Sequence, residues 1–315
     1  MIRYIIKRII GVIPTLVLVG IIIFTIVRLI PGDPASVMLG PEATPEQVSV
    51  LQEQMGLKKP FLLQLGTWLF NACHGDFGSS FFYDMPVTDL IISRLEPTLM
   101  LMTMALLISL LIGIPMGVLA AVNRNTIFDR LCILFAMLGI SIPNFWLGLM
   151  LILLFAQKLN LFPALGYMTI GEVGFWESVH YLVLPALTLG LQLASDTARL
   201  VRSSMLEVLN SDYIRTAKSK GVSKFVMVMK HAFKNAMIPT LTGIGMNIAH
   251  LAGGAVVTEA VFNIPGAGQL IVTAVSRRDY ALIQGHIMYV AMMFVFVNII
   301  IDILYTAIDP RIRLN

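Results

Sequence analysis

DYIRTAKSKGVSKFVMVMKHAFKNAMIP, residues 212–239, belongs to the longest basic interval of a chain that is otherwise mostly apolar. Between Arg199 and Lys234 stand eight Lys/Arg against only Glu207 and Asp212. The local grammar is helix, break, helix. Asp212 is an acid where the helix dipole favours one, and Lys218 and Lys220 fall in the last turn. Gly221 supplies the residue that enters left-handed space and ends the helix. Ser223 is placed to cap the next segment, in which Phe225, Met229 and Phe233 recur at i, i+4 and i+8 and share one face. On composition alone this is a charged cytoplasmic loop whose second helix lies on anionic headgroups.

The surrounding composition says what such a loop connects. Of 315 residues, 57% are hydrophobic and 13% charged, which excludes an ordinary soluble domain. A net charge of +4 suits a nucleic-acid binder in principle. Here, however, the basic residues cluster between apolar spans and serve as topology signals, so no nucleic-acid partner is expected. Cys73 and Cys132 are far apart and form neither a metal spacing nor an expected disulfide. His74, His180, His231, His250 and His286 are scattered, with no paired-ligand motif, and no metal site is expected.

Six apolar spans follow from the pattern. Arg3, Lys7 and Arg8 precede a run from Ile9 to Ile30, too long for a signal-peptide core and lacking a small-residue cleavage site. Pro31-Gly32-Asp33-Pro34 ends it. The others lie at about Thr98–Val122, Leu131–Ala156, Leu182–Ala198, Ile238–Phe262 and Ile283–Ile308. Gly113, Pro115 and Gly117 predict a kink or a close helix approach in the second, and Pro143 a break or bend near the middle of the third. Asp196 and Arg199 crowd the end of the fourth as a pair at i, i+3. Asp302 in the last span belongs near the inner interface or within the bundle.

Between the first two spans, residues 31–97 form the largest hydrophilic interval. Thr44-Pro45-Glu46-Gln47 is a capped helix start with a stop at Gly56, and Pro60 opens a second, amphipathic helix through Leu62, Leu65, Trp68 and Leu69. Those residues face either the outer membrane surface or the bundle. His74-Gly75-Asp76-Phe77-Gly78 is a glycine-hinged loop.

Orientation follows from flanking Lys/Arg. One side collects the three at the N-terminus, Arg124 and Arg130, the eight of the basic interval, and Arg311 and Arg313, fifteen in all, against six on the other. Both termini and the quoted loop are therefore expected inside.

The fifth span and its exit hold the other informative run, Gly253-Gly254-Ala255-Val256-Val257-Thr258-Glu259-Ala260-Val261-Phe262 and then Pro265-Gly266-Ala267-Gly268. Paired glycines permit close approach or local unwinding. Glu259 reads either as an interfacial acid or as a pathway or gate residue. Candidate pore or gate positions are thus Gly253, Gly254, Glu259, Phe262, Pro265, Gly266 and Gly268.

The quoted loop resembles the EAA loop of ABC importer permeases, in the variant of the dipeptide/oligopeptide/nickel group. Asp212, Tyr213, Ile214, Arg215, Thr216, Ala217, Lys220, Gly221, His231, Ala232, Asn235, Ala236, Ile238 and Pro239 carry the resemblance. Arg215 and Thr216 replace the Glu and Ala of the general motif and Lys234 its proline; these departures match the peptide-type subgroup. Pro31 to Pro34, the HGDFG loop, Arg94 to Leu99, Glu259 to Leu270 and Arg278-Asp279-Tyr280 resemble segments of the same family.

The resemblance implies an all-α polytopic membrane protein of six transmembrane helices with type I ABC importer permease architecture, in the bacterial or archaeal cytoplasmic membrane. Its organisation would be N-terminus and first span over 1–30, an extracytoplasmic segment 31–97, a permease core 98–308 with the coupling loop at 203–238, and a tail 309–315. It further implies two ABC ATPase subunits carrying ATP and Mg, a second homologous permease, and an extracytoplasmic substrate-binding protein. This chain would itself bind no cofactor. Asp212, Tyr213, Arg215, Thr216, Ala217, Lys220, Gly221, His231, Asn235 and Pro239 would contact or shape the ATPase dock. No GxxxxGK[ST] occurs, so nucleotide hydrolysis would lie elsewhere. The cargo would be a dipeptide, a longer peptide, glutathione or a nickel chelate. The competing reading is an ATP-independent channel or secondary carrier, against which the lack of an internal repeat counts mildly. A polytopic membrane enzyme would need a convergent polar site or nucleophile elbow that the sequence lacks.

Overall fold

The computed structural model describes residues 2–29, 33–40 and 42–308. Pro31, Gly32 and the tail with Arg311 and Arg313 lie outside the described residues, as do the side chains of Arg3, Lys7, Arg8, His250 and Asp302 and the surroundings of Gly254. Helices run in the order α1 (Ile2–Leu29), α2 (Pro34–Leu39), α3 (Pro45–Gln54) and α4 (Phe61–Cys73). A two-residue-per-strand hairpin, β1 (Ser79–Ser80) and β2 (Met85–Pro86), precedes α5 (Val87–Ser93) and α6 (Leu95–Val122). Then come α7 (Ile127–Ser141), α8 (Asn144–Leu151) with a π-helical continuation Ile152–Lys158, α9 (Ile170–Val173) and α10 (Phe175–Leu209). The chain closes with α11 (Asp212–Ser219), α12 (Lys224–Val226), a π-helical run Met227–Phe233, α13 (Lys234–Phe262), α14 (Ala267–Ser276) and α15 (Tyr280–Ile308). Among the described residues four helices are long and apolar enough to cross a membrane, and six spans result when each bent pair counts as one.

Two compact units emerge. The first comprises Met1–Glu96 and Gln269–Phe296. Its α3 starts with the capping box expected from Thr44 and Gln47: the Gln47 N–H donates to Thr44 Oγ1 at 3.3 Å and the Thr44 N–H to Gln47 Oε1 at 2.9 Å. Gly56, at φ +67°, follows its end. Helix α4 lies along α1, where Gly20 has no Cβ to keep Leu69 and Trp68 away. Phe24 of α1 meets the Phe61 and Trp68 rings at 5.6 and 5.7 Å. The other side of α4 leaves Leu62 77% exposed and Phe70 66% exposed, so this helix both packs on α1 and presents a second apolar face. Phe77 of the HGDFG loop is buried with Val87, Leu90 and Ile91 of α5 and Leu282 and Ile283 of α15.

The second unit comprises Pro97–Gly268 and Val297–Asn315. Its centre is α10. Gly113 and Gly117 of α6, four residues apart, bring α10 to backbone contact: a Cβ on Gly113 would lie 2.7 Å from the Ala194 carbonyl oxygen, and one on Gly117 2.6 Å from that of Ala198. The helix runs through Pro115. The glycines therefore serve close approach, as small residues do where no solvent drives helices together. Ser109 and Thr197 share a buried hydrogen bond of 2.9 Å across the same seam. Gly117→Val forces branching methyls into a backbone carbonyl, and overpacking of this kind costs ~1–3 kcal/mol. The expected result is a severalfold drop in the folded form after detergent extraction, measured by size-exclusion fluorescence, with Met116→Leu unaffected.

The third span breaks at Pro143, as the sequence implied: α7 and the α8 segment meet there at 101°. Two boundaries differ from the sequence reading. The fourth, expected over Leu182–Ala198, is the 35-residue α10; hydropathy ends where Asp196, Arg199 and Arg202 begin, but the helix continues beyond them. The fifth does not start at Ile238. Helical backbone runs unbroken from Lys224 through the π-helical run into α13, with Pro239 inside it.

Candidate functional site

The break at Gly221 is a Schellman turn. After α11 the Gly221 N–H donates to the Lys218 carbonyl at 3.0 Å and the Val222 N–H to the Ala217 carbonyl at 3.2 Å, while Gly221 adopts φ +76°. Helix carbonyls left without partners are thereby satisfied. Ser223 stands at the start of α12, and its backbone carbonyl accepts from the Met227 N–H at 2.9 Å, without a side-chain cap.

Helix α11 faces inward through Ile214, with Ala217 half-buried one turn on, and joins a core of Val228, Ala232 and Ala236 with Val201 and Met205 of α10 and Ala121 of α6. Three of the expected loop residues meet. Asn235 Nδ2 donates to Tyr213 Oη at 2.9 Å and to the His231 carbonyl at 3.0 Å, tying α11 to the helix that follows. Arg215, Thr216 and Lys220 are exposed. Arg215 and Asp212 form an exposed pair at 3.5 Å, a contact of little energetic weight. Pro239 is exposed within α13, remote in sequence from the turn.

The apolar face expected of the second helix is not the packed one. Phe225 is 75% exposed and Met229 45%; Phe233 is half-buried. The buried positions are Val228, Ala232, Ala236 and Thr240. The signal was present as small residues at strict i+4 spacing, which let the helix approach α10, while the larger side chains are left outside. A second feature went unread. Arg202, counted as a topology charge, forms a bidentate pair with Asp129, Nε to Oδ1 at 2.7 Å and Nη2 to Oδ2 at 2.9 Å. The Asp129 side chain is 3% exposed, and the Thr126 cap with an acid three residues later was its sequence signature.

Glu259 and its glycines form a separate, interior cluster. Glu259 is fully buried. Thr98 Oγ1 of α6 donates to Glu259 Oε1 at 2.6 Å, and the same hydroxyl oxygen accepts the Ala267 N–H at 2.8 Å. Gly266 and Gly268 sit against the carboxyl, and a Cβ on Gly268 would also lie 2.7 Å from the Val256 Cα. Phe262 is buried beside Gly148, and its carbonyl accepts the Gly166 N–H at 2.8 Å. Gly253 faces open space within continuous helix. The structure thus brings Glu259, Gly266 and Gly268 together as a bracket across the α13–α14 turn and leaves Gly253 apart.

Residues 113–314 match the family described as binding-protein-dependent transport system inner membrane component, and residues 1–103 match its N-terminal companion. The chain belongs to this family. It is 42% identical over 310 residues to a probable peptide ABC transporter permease protein of Sinorhizobium fredii, covering 98% of this chain and 99% of that one. It is equally 42% identical over 313 residues to the glutathione transport system permease protein GsiC of Escherichia coli (strain K12), covering 99% of each. Among solved structures, the inward-facing MetNI methionine ABC transporter superposes with TM-score 0.54 at 18% identity, over 70% of this chain and 96% of that one. An amino acid ABC transporter with histidines gives 0.52 at 16% identity, over 70% and 94%. These two establish the type I importer permease fold.

The permease is accordingly a multi-pass inner-membrane component that works with an ATPase and a binding protein, and it is not the catalytic subunit. Its first unit holds a bracket of its own. Asp279 caps α15 by accepting the Leu282 N–H at 3.1 Å and receives the Ser80 hydroxyl at 2.5 Å, while Arg277 lies 3.4 Å over the Phe82 ring. Both cysteines are free, Cys73 exposed and Cys132 buried. Among the described residues no three His, Cys, Asp or Glu are grouped to hold a metal ion.

Proposed function

We propose that this permease is the pore-forming subunit of an ATP-driven importer for peptides or solutes of similar size, delivered by an extracytoplasmic binding protein. It pairs with a second homologous permease and rests on two ATPase subunits, which hold the ATP and Mg; the chain itself needs no cofactor. The observation that carries this reading is the loop: a helix–turn–helix packed on α10 through Ile214, Val228 and Ala232, with Tyr213, Phe225 and Met229 left outside. Apolar side chains on an exposed charged loop suit a protein dock better than a solvated connection. Closure of the ATPases on ATP displaces the docked loop, and states that differ in their contacts to it exchange population. The relatives named for peptides and glutathione, matched over the whole chain, support cargo of that class.

The test is uptake of labelled di- and tripeptides and glutathione into proteoliposomes holding the complete complex. Uptake is expected only with binding protein outside and ATP inside; uptake without nucleotide would make the protein an autonomous carrier or channel.

Orientation is checked separately. Single cysteines in the Glu42–Glu53 stretch, in a background lacking Cys73 and Cys132, are expected to react with an impermeant maleimide from outside. Cysteines in the Ser211–Lys224 stretch react only after permeabilisation. Labelling of both from one side would overturn the arrangement with inside termini.

A further inference from the structure

A cleft of about 270 Å³ opens between α6, α7 and α10. Gly117 and Ala120 of α6 and Cys132, Ala136 and Ile140 of α7 give it small or apolar walls, and Arg199 and Arg202 of α10 stand at it. From Cys132 to Ile140 the wall runs ~12 Å along the helix, at 1.5 Å per residue. The arginine end is the end that carries the loop, because Ala121 and Val201, beside Ala120 and Arg202, belong to the same core as Ile214.

Charge at that end is in excess. Arg202 is held by Asp129, but the pair engages only two of the five N–H donors of its guanidinium. Arg199 is 71% exposed on a loose 3.4 Å contact with Asp196. Arg124 and Arg130 are exposed nearby in sequence, next to the same turn. Arg124 lies near enough to act on the Asp129 carboxylate, so three guanidiniums stand against two carboxylates at one end of an apolar slot. A buried aqueous anion would not need the slot, and a neutral acyl chain would not need the arginines.

We propose that this cleft binds one anionic phospholipid of the cytoplasmic leaflet, with a phosphate at Arg199 and Arg202 and part of an acyl chain between α6 and α7. Basic pockets between transmembrane helices at the cytoplasmic side are where such headgroups bind. The lipid would sit against the Asp129–Arg202 pair and the root of the loop, so the leaflet's composition would bear on how firmly the loop is anchored.

The proposal is tested on the assembled complex in nanodiscs of equal parts phosphatidylcholine and phosphatidylglycerol, with retained lipid counted by native mass spectrometry. This readout needs no transport and so stands or falls apart from the importer reading. Retention of phosphatidylglycerol over phosphatidylcholine is expected. Arg199→Gln, an exposed change, is expected to lower it about fivefold, the worth of one basic side chain at an anionic surface. Ala136→Trp fills the slot and is expected to abolish it; if that variant does not assemble, Arg199→Gln alone decides. Equal retention of the two lipids, or retention unchanged by Arg199→Gln, overturns the proposal. Capture of the other permease subunit by a cross-linker on Met137→Cys, in discs where no lipid is retained, overturns it as well and makes the cleft a subunit interface.

Discussion

Gly221→Val is expected to abolish the stimulation of ATP hydrolysis by loaded binding protein while the permease still inserts and accumulates normally. The position has φ +76°, where a β-branched residue is a steric outlier. Around it lies open space, so the penalty is one of backbone conformation alone, on the order of 1–3 kcal/mol. That is too little to unfold a bundle of membrane helices. It is enough to open a turn held by two hydrogen bonds, at Lys218 and Ala217. Once the turn opens, α11 loses its fixed direction relative to Val228 and Ala232, and the exposed face carrying Tyr213, Phe225 and Met229 no longer presents one surface. Gly221→Asn separates conformation from side-chain bulk, since Asn visits left-handed space; it is expected to keep most of the stimulated rate. Ala217→Asp, which puts a charge on the half-buried face, should resemble the valine variant. Wild-type hydrolysis and uptake by reconstituted Gly221→Val complexes would make the loop a solvated connection, and the docking proposal would fail with it.

The interior bracket gives the second large effect. Glu259→Leu removes the carboxyl that receives the Thr98 hydroxyl, itself the acceptor of the Ala267 N–H, so a buried hydrogen bond is lost. Removing one side of such an interior bond costs ~1–3 kcal/mol. Gly268→Val is worse, because its Cβ would lie against the Val256 backbone at 2.7 Å with no flexible atom to yield. Destabilisation of 1–2 kcal/mol already changes abundance severalfold, and both variants are expected to be depleted from the purified complex by at least that much. Glu259→Gln keeps an acceptor oxygen and nearly the same shape, so normal abundance and uptake are expected of it. Normal abundance with lost uptake in Glu259→Gln would return the residue to the translocation pathway and refute its purely architectural role.

Most of the span pattern and the turn chemistry was legible because each depends on neighbours in sequence. The Thr44–Gln47 box, the stop at Gly221 and the break at Pro143 are local events with local causes. What escaped depends on residues far apart. Small side chains at Val228, Ala232 and Ala236 define the packed face only because Val201 and Met205 lie opposite; the sequence reading singled out the face shared by Phe225, Met229 and Phe233 and passed over the small-residue one. Asp129 and Arg202 are 73 positions apart and Thr98 and Glu259 161, so neither pair has a periodic signature. The length of α10 was missed for a different reason. Hydropathy measures where lipid ends, and this helix does not stop there.

That overshoot has a mechanical consequence. At 1.5 Å per residue, 35 residues make a rod of ~52 Å against a hydrocarbon layer of about 30 Å. Pro185, within the rod, lacks the N–H that would complete one rung of the helix, so bending is easiest there. From Pro185 to Leu209 the remaining arm is ~36 Å, and Val201 and Met205 near its far end are the residues gripped by the loop core. A swing of roughly 10° about the proline displaces that end by ~6 Å, about the length of one helical turn. Small rotations inside the bilayer and translations at the loop proposed above as the ATPase dock are thus the two ends of one lever, and stiffening or softening position 185 should change its gain without touching either end.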